Sequence, residues 1–200
     1  MLVTPGTKAQ SRSIARIYQE AFPASIRHFF GPRGDKDLLD FLELSFSLVF
    51  FWGGKVLLAH TEEGEISGYC LYNPARGGRK DFKNLGRAGF LLLSKVRLRE
   101  IALLTRNQIL KLLKTKKSRP APKKTASIIS IAVAPQFQGR GIGTLLLGRA
   151  LQELSSQWVL LNVRSENSPA RRLYRQAGFT PYGSTEDLLG SWVMLKKPPR

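Results

Sequence analysis

The sequence predicts one α/β domain spanning residues 1–200, with a mixed β-sheet flanked by helices. Three observations carry this expectation. In the C-terminal half, apolar runs of strand length alternate with segments of helical period. Earlier, two short apolar runs flank a polar, glycine-bearing turn, which is a hairpin signal. Finally, two motifs each follow a strand-like run and open a helix: Gln138-Gly139-Arg140-Gly141-Ile142-Gly143 and Asn167-Ser168-Pro169-Ala170-Arg171-Arg172-Leu173-Tyr174. A chain of 200 residues suffices for one good core and is marginal for two.

In chain order, Ser11 or Ser13 caps a helix running to about Phe22, whose apolar face is Ile14, Ile17, Tyr18 and Ala21. Pro23 ends or kinks it. After a loop at Gly31-Pro32-Arg33-Gly34, a second helix starts at Asp35 or Asp37 and carries Leu38, Phe41, Leu42 and Phe46. Strands are expected over 55–60 and 66–72 around the turn at Glu62, Glu63, Gly64 and Glu65.

Residues 82–118 read as mostly helical, with an early break at Gly86 or Gly89. From 91 to 113 apolar residues recur at three and four, with Lys95, Arg97, Arg99 and Lys111 between them. Such a cationic amphipathic segment can cover the sheet, pair with another copy or lie on a membrane; packing is the expectation. Residues 114–124 carry six Lys or Arg and no acid, and Pro120 and Pro122 argue against a helix, so a mobile basic loop is expected. The remaining expectations are a strand over 127–134 stopped by Pro135, a helix over 143–154, a strand over 158–163, a helix capped by Asn167 or Ser168 and ended by Gly178, and a strand over 192–195.

The net charge of +18 favours anionic partners: a nucleotide cofactor, an acidic protein, nucleic acid or a membrane surface. Cys70 is the single cysteine, so no intrachain disulfide forms, and a reducing, cytoplasmic setting fits. No secretory signal is visible at the start, and the apolar run at 44–52 is too short to span a bilayer. His28, His60 and Cys70 are read as core or surface residues; no zinc spacing, carboxylate pair or Gly-x-Ser-x-Gly elbow is present.

The first motif suits a diphosphate. Gly139, Gly141 and Gly143 remove side-chain bulk from the turn. The helix opening there supplies unpaired N–H groups and the positive end of a dipole. Arg140 adds charge and Thr144 a hydroxyl. The glycine spacing and late position differ from a dinucleotide fingerprint, and no Gly-Lys-Ser/Thr ending makes it a P-loop.

Residues 127–143 resemble the central motif of the GCN5-related N-acetyltransferase (GNAT) superfamily, of form Arg/Gln-x-x-Gly-x-Gly/Ala, here from Gln138 to Gly143. Residues 167–179 resemble its next motif, nearest to the ribosomal-protein N-terminal acetyltransferase branch. The close match covers about 127–179, roughly a quarter of the chain. The resemblance implies a mostly antiparallel sheet splayed near its middle, with residues 82–118 as an extra helical segment, and acetyl-CoA as cofactor. Pantetheine would bond to backbone at Ile131, Ala132 and Val133. Its diphosphate would meet Gln138, Gly139, Arg140, Gly141, Ile142, Gly143 and Thr144, with Asn167 and Ala170 beside the arm.

It implies direct transfer to an amine. A backbone N–H near Ile131 or Val133 would face the oxyanion. Tyr174, whose ordinary pKa of about 10 keeps it protonated at neutral pH, would supply the thiolate's proton. The branch often carries a glutamate where this chain has Asn162, which leaves Glu166 or solvent to take the amine proton. An amine-bearing substrate, with preference for an acidic protein or peptide, is the expected partner. A basic module on nucleic acid or an anionic membrane, and a catalytically impaired acyl-CoA-binding protein, are the alternatives, and both monomer and homodimer remain open.

Overall fold

The computed structural model describes residues 1–31, 33–75, 82–117 and 125–200. Its strands are β1 (Leu2–Gly6), β2 (Lys55–His60), β3 (Ile66–Asn73), β4 (Lys116–Lys117), β5 (Thr125–Val133), β6 (Trp158–Arg164), β7 (Thr180–Asp187) and β8 (Gly190–Lys197). The helices are α1 (Ser11–Ala21), α2 (Pro23–Phe30), α3 (Asp35–Phe51), α4 (Phe82–Lys95), α5 (Leu98–Lys114), α6 (Ile142–Glu153) and α7 (Ser168–Gln176). The strands form one sheet in the order β1-β2-β3-β5-β6-β8-β7-β4. Every neighbouring pair is antiparallel except β5 with β6, which run parallel.

That parallel pair creates the opening on which the site depends. Only Thr125, Ala126 and Ser127 pair with β6, against Trp158, Val159 and Leu160. Beyond them, β5 follows β3 while β6 follows β8. A register shift between Leu71 and Tyr72 leaves Ile129 without an opposite residue on β3, and such a bulge bends its strand.

Helices cover both faces of the sheet. On one, Ile142, Leu146, Leu147, Ala150 and Leu151 recur at helical spacing and bury α6 against Leu57, Cys70, Val159 and Leu161. On the other, Ile14 and Ile17 of α1 and Leu38, Phe41, Leu42 and Phe46 of α3 pack on Val56, Leu58, Tyr69 and Leu71. Each fully buried side chain of this size contributes about 1.5–3 kcal/mol.

Several expectations are corrected. Neither Ser11 nor Ser13 caps α1: a 3-10 turn at Lys8–Gln10, capped by Thr7, leads into it, and buried Ser11 accepts a hydrogen bond from Ser47. Pro23 ends α1 but also starts α2, at the first-turn position where its missing N–H costs nothing. Gly86 and Gly89 do not break α4; the break comes after Lys95, and Arg97 starts α5. The helical segment stops at Lys114, and Lys116 and Lys117 pair with Ser184 and Gly183 of β7 instead of joining a loop. The rest of the expected basic loop, 118–124, lies outside the described residues.

Candidate active site

The opening between β5 and β6 holds two cavities. One, of about 410 Å³, is lined by Ile131, Ala132 and Val133, by Phe137 to Thr144 except Arg140, and by Asn167, Pro169, Ala170, Leu173 and Tyr174 of the second motif. The other, of about 500 Å³, is walled by Tyr18, Phe22, Phe30, Phe41 and Phe46 on the α1–α3 side and by Asn162, Arg164 and Trp192 on the β6–β8 side. Phe22, Ile131, Asn167, Ala170 and Tyr174 line both. The two cavities therefore converge on one short stretch of β5 and one face of α7.

The ladder parity of β5 shows what backbone faces this junction. Ala134 N–H donates to Ser67 at 2.9 Å, and the pairing continues through Val133–Gly68, Ala132–Tyr69 and Ile131–Cys70. In an antiparallel ladder, alternate residues turn their N–H and C=O toward the partner and away from it. Ala132 and Ala134 thus serve β3, while Ile131 and Val133 turn toward the opening. The Val133 carbonyl there accepts a hydrogen bond from Gln138 Nε2 at 3.0 Å, which ties the glycine-rich loop to the strand end.

Gly139 and Gly141 have φ of +78° and +77°, and a Cβ at either would meet no atom within 4 Å. They are glycine because of backbone conformation, not crowding. Left-handed Gly141 caps α6, and the helix's first bond runs from Leu145 N–H to Gly141. The N–H groups of Ile142, Gly143 and Thr144 precede that bond and stand at the helix mouth. Arg140 is exposed, with its guanidinium bonded to the Gln136 carbonyl and 5.6 Å from the Phe137 ring centre.

Asn167 caps α7 by accepting from Ala170 N–H at 3.0 Å. Positions 167, 170 and 174 are three and four apart, so one helix face carries all three into the junction. Tyr174 is buried, edge-on to Phe179 at 5.8 Å. Its hydroxyl makes no hydrogen bond among the described residues. Burial, and secondarily its proximity to Cys70, pushes its pKa up, so the phenol is neutral at any physiological pH.

Glu166 is exposed in the β6–α7 turn and lines neither cavity; Asn162 lines the larger one. Among the described residues, no carboxylate and no histidine lines either cavity. Ser130, in the larger cavity, shares a 2.8 Å hydrogen bond with buried Tyr69. No His, Cys, Asp and Glu cluster among the described residues could hold a metal.

The aromatic wall and Arg164 escaped the sequence reading. Arg164 makes two hydrogen bonds to Asp187, at 2.6 and 3.1 Å, and stacks 4.1 Å from the Trp192 ring centre. Trp192 Nε1 donates to the same carboxylate at 2.7 Å. The signal was the interval from Asp187 to Trp192, which means little until β7 and β8 are known to form a hairpin.

A sheet opened between two parallel strands, with a glycine-bent helix mouth beside the gap, defines an α/β protein with a cleft at the middle of its sheet. The chain belongs to the Acetyltransferase (GNAT) family, whose profile matches residues 12–179. It is 42% identical over 57 residues to the ribosomal protein bS18-alanine N-acetyltransferase of Salmonella typhimurium, covering 27% of this chain and 38% of that one. To the mycothiol acetyltransferase of Beutenbergia cavernae it is 45% identical over 60 residues, covering 28% and 20%. The chain thus spans well under half the length of these curated relatives. A GNAT superfamily phosphinothricin acetyltransferase from Sinorhizobium meliloti, solved with AcCoA, shares the fold at TM-score 0.61 and 16% identity, over 99% of this chain and 88% of that one.

Proposed function

We propose that this protein transfers an acetyl group from acetyl-CoA directly to a primary amine. The observation that carries the reading is the convergence of two cavities at Ile131 and Tyr174, one bordered by the helix mouth at Gly141 to Thr144 and one not. The residues present fit acetyl-CoA. The N–H groups at Ile142, Gly143 and Thr144 suit a diphosphate, and the outward edge of Ile131 and Val133 suits an extended amide chain. Acetyl-CoA supplies an activated thioester there.

The chain's own groups divide the remaining work. The Ile131 or Val133 N–H donates to the acetyl oxygen as negative charge develops on it. Asn167, fixed as a helix cap, holds the arm beside Ala170. Tyr174 would hold its proton beside the sulfur and pass it, directly or through water, to the departing thiolate, with solvent returning a proton to the phenol. Glu166 sits outside both cavities, so the amine proton passes to solvent entering the larger one.

Without a base in the cleft, the acceptor's own acidity matters. At pH 7 an α-amine is neutral on the order of 200-fold more often than a lysine side chain, from reference pKa values of about 8 and 10.4. We therefore favour the terminal amine of a protein or peptide, with acidic sequences steered in by the +18 charge. A cytoplasmic setting belongs to the same proposal and is supported by the free, buried thiol of Cys70.

Calorimetry with acetyl-CoA and with CoA, then mass spectrometry over peptides with free or blocked N-termini, tests this. Acetyl-CoA binding and acetylation of free N-termini are expected. Failure to bind acetyl-CoA overturns the proposal.

A further inference from the structure

Helix α5 is amphipathic twice over. Its inward face carries buried Glu100 and Asn107, with half-buried Leu103, Leu104 and Leu110 beside them. Asn107 accepts from Leu188 N–H at 3.0 Å, and Thr115, just past the helix end, donates to Thr185 at 2.9 Å. This face docks the helix on the β7–β8 end of the sheet. The opposite face should be polar on an ordinary surface helix. Instead it presents Leu98, Ile101, Ile109, Leu112 and Leu113 to solvent, with Leu98, Leu112 and Leu113 at 85%, 79% and 77% exposure. At 3.6 residues per turn these five fall within an arc of about 120°, a continuous aliphatic stripe. In α4, Phe90 and Leu93 are 73% and 70% exposed.

Charge selects what covers the stripe. Residues 82–117 contain ten Lys and Arg and one acid, Glu100. That acid is buried and bonded to Arg33 at 2.6 and 2.7 Å. Acids of neighbouring elements pair with Arg97, Lys111 and Lys114, through Asp37, Asp187 and Glu186, and the segment remains net cationic. A second copy of the chain would set one strongly cationic face against another. The stripe also lacks the aromatic anchors that concentrate at protein interfaces, and Thr105 is its one polar member. An aliphatic strip flanked by Lys and Arg is what lies at the boundary between headgroups and acyl chains of an anionic bilayer. Among the described residues no helix is long and apolar enough to cross a membrane, and a helix of this length lies flat over about 25 Å.

We propose that the α4–α5 segment docks this protein on membrane surfaces rich in anionic lipid, with the Leu98–Leu113 stripe of α5 inserted and the surrounding cations on the phosphates. Docking would bear on the larger cavity, because Lys111 of α5 lies 3.7 Å from Asp187 and 5.4 Å from the Trp192 ring centre.

The test is co-sedimentation of the full chain with phosphatidylcholine vesicles, with and without about 30 mol % phosphatidylglycerol, at about 0.15 M salt. Binding at least tenfold stronger to the anionic vesicles is expected. The variant Leu98→Asn/Leu112→Asn/Leu113→Asn should lose most of it, with circular dichroism and Tm showing that it remains folded. No binding to anionic vesicles overturns the proposal. So does undiminished binding by the folded variant, which would mean adhesion by charge alone. A wild-type dimer that the variant dissociates, in the absence of vesicle binding, would assign the stripe to self-association and overturn it as well.

Discussion

Arg33 and Glu100, 67 residues apart in sequence, meet in the interior as a two-point ion pair, Nε to Oε1 at 2.6 Å and Nη2 to Oε2 at 2.7 Å. The same guanidinium donates to the Lys95 carbonyl and lies 4.4 Å from the centre of the Phe41 ring, a wall of the larger cavity. The pair joins α5 to the helices that shape the cleft. Removing one partner strands a buried charge, so Arg33→Met should cost about 3–5 kcal/mol. Arg33→Met/Glu100→Leu should recover much of that loss, and a denaturant double-mutant cycle reads the difference.

The pair also predicts an acid limit. Burial pushes the Glu100 pKa up, but hydrogen bonds from Arg33 and the Arg97 backbone, with both nearby charges, outweigh it and leave the pKa below its usual 4.5. A depressed carboxylate pKa means stability is fully present above the unfolded value and is lost as pH falls through the folded one. Thermal melts from pH 6 down to pH 3 should show Tm falling below about pH 4.5, with a shallower fall in Arg33→Met/Glu100→Leu.

Left-handed Gly141 and helical Gly143 should part company. Gly141→Ala forces an L residue to a φ of +77° and should cost about 1–2 kcal/mol and weaken acetyl-CoA binding tenfold or more. Gly143→Ala sits in the first turn of α6, where its Cβ would rest 3.6 Å from Leu173. That is ordinary contact, and alanine is the better helix former, so Tm should hold or rise. Calorimetry and melts on both variants check the contrast.

Tyr174→Phe isolates one proton. The hydroxyl has no hydrogen-bond partner among the described residues, so its loss should leave Tm nearly unchanged. If it protonates the departing sulfur, kcat should drop about 100-fold or more, with little change in the KM for acetyl-CoA. Steady-state kinetics with a peptide acceptor distinguish this from a packing role, which would move Tm first.

These residues were legible in the sequence to very different degrees. Strand β2 and helices α6 and α7 emerged within a residue or so, because local pattern and glycine punctuation coincide there. Strands β1 and β7 were not expected from the sequence; each contains proline, Pro5 in one and Pro181 in the other, which a strand interior rarely holds. β1 is an edge strand, which tolerates proline, and β7 accommodates a register shift at Pro181 and Gly183. Helix α2 was missed because Pro23 reads equally as an end and a beginning. The glycine-bent loop and helix mouth over 138–144 were legible because a contiguous segment forms them. The aromatic cleft was not: Tyr18, Phe46 and Trp192 come from three elements, and only tertiary packing brings them together.

Because no carboxylate or histidine lines either cavity among the described residues, the proposed reaction has the acceptor amine as its titrating species. With solvent taking the proton, kcat/KM should rise with pH at unit slope and level off at the acceptor's own amine pKa. Two peptides whose N-terminal pKa values differ by about one unit should have inflections displaced by the same amount. No falling limb is expected up to about pH 9, because burial holds the Tyr174 pKa above its ordinary value of 10 and the proton donor stays loaded. Stopped-flow or plate assays of CoA release across pH 6–9.5 measure the rise and the plateau. An inflection at the same pH for both peptides would place the base on the protein and overturn this assignment.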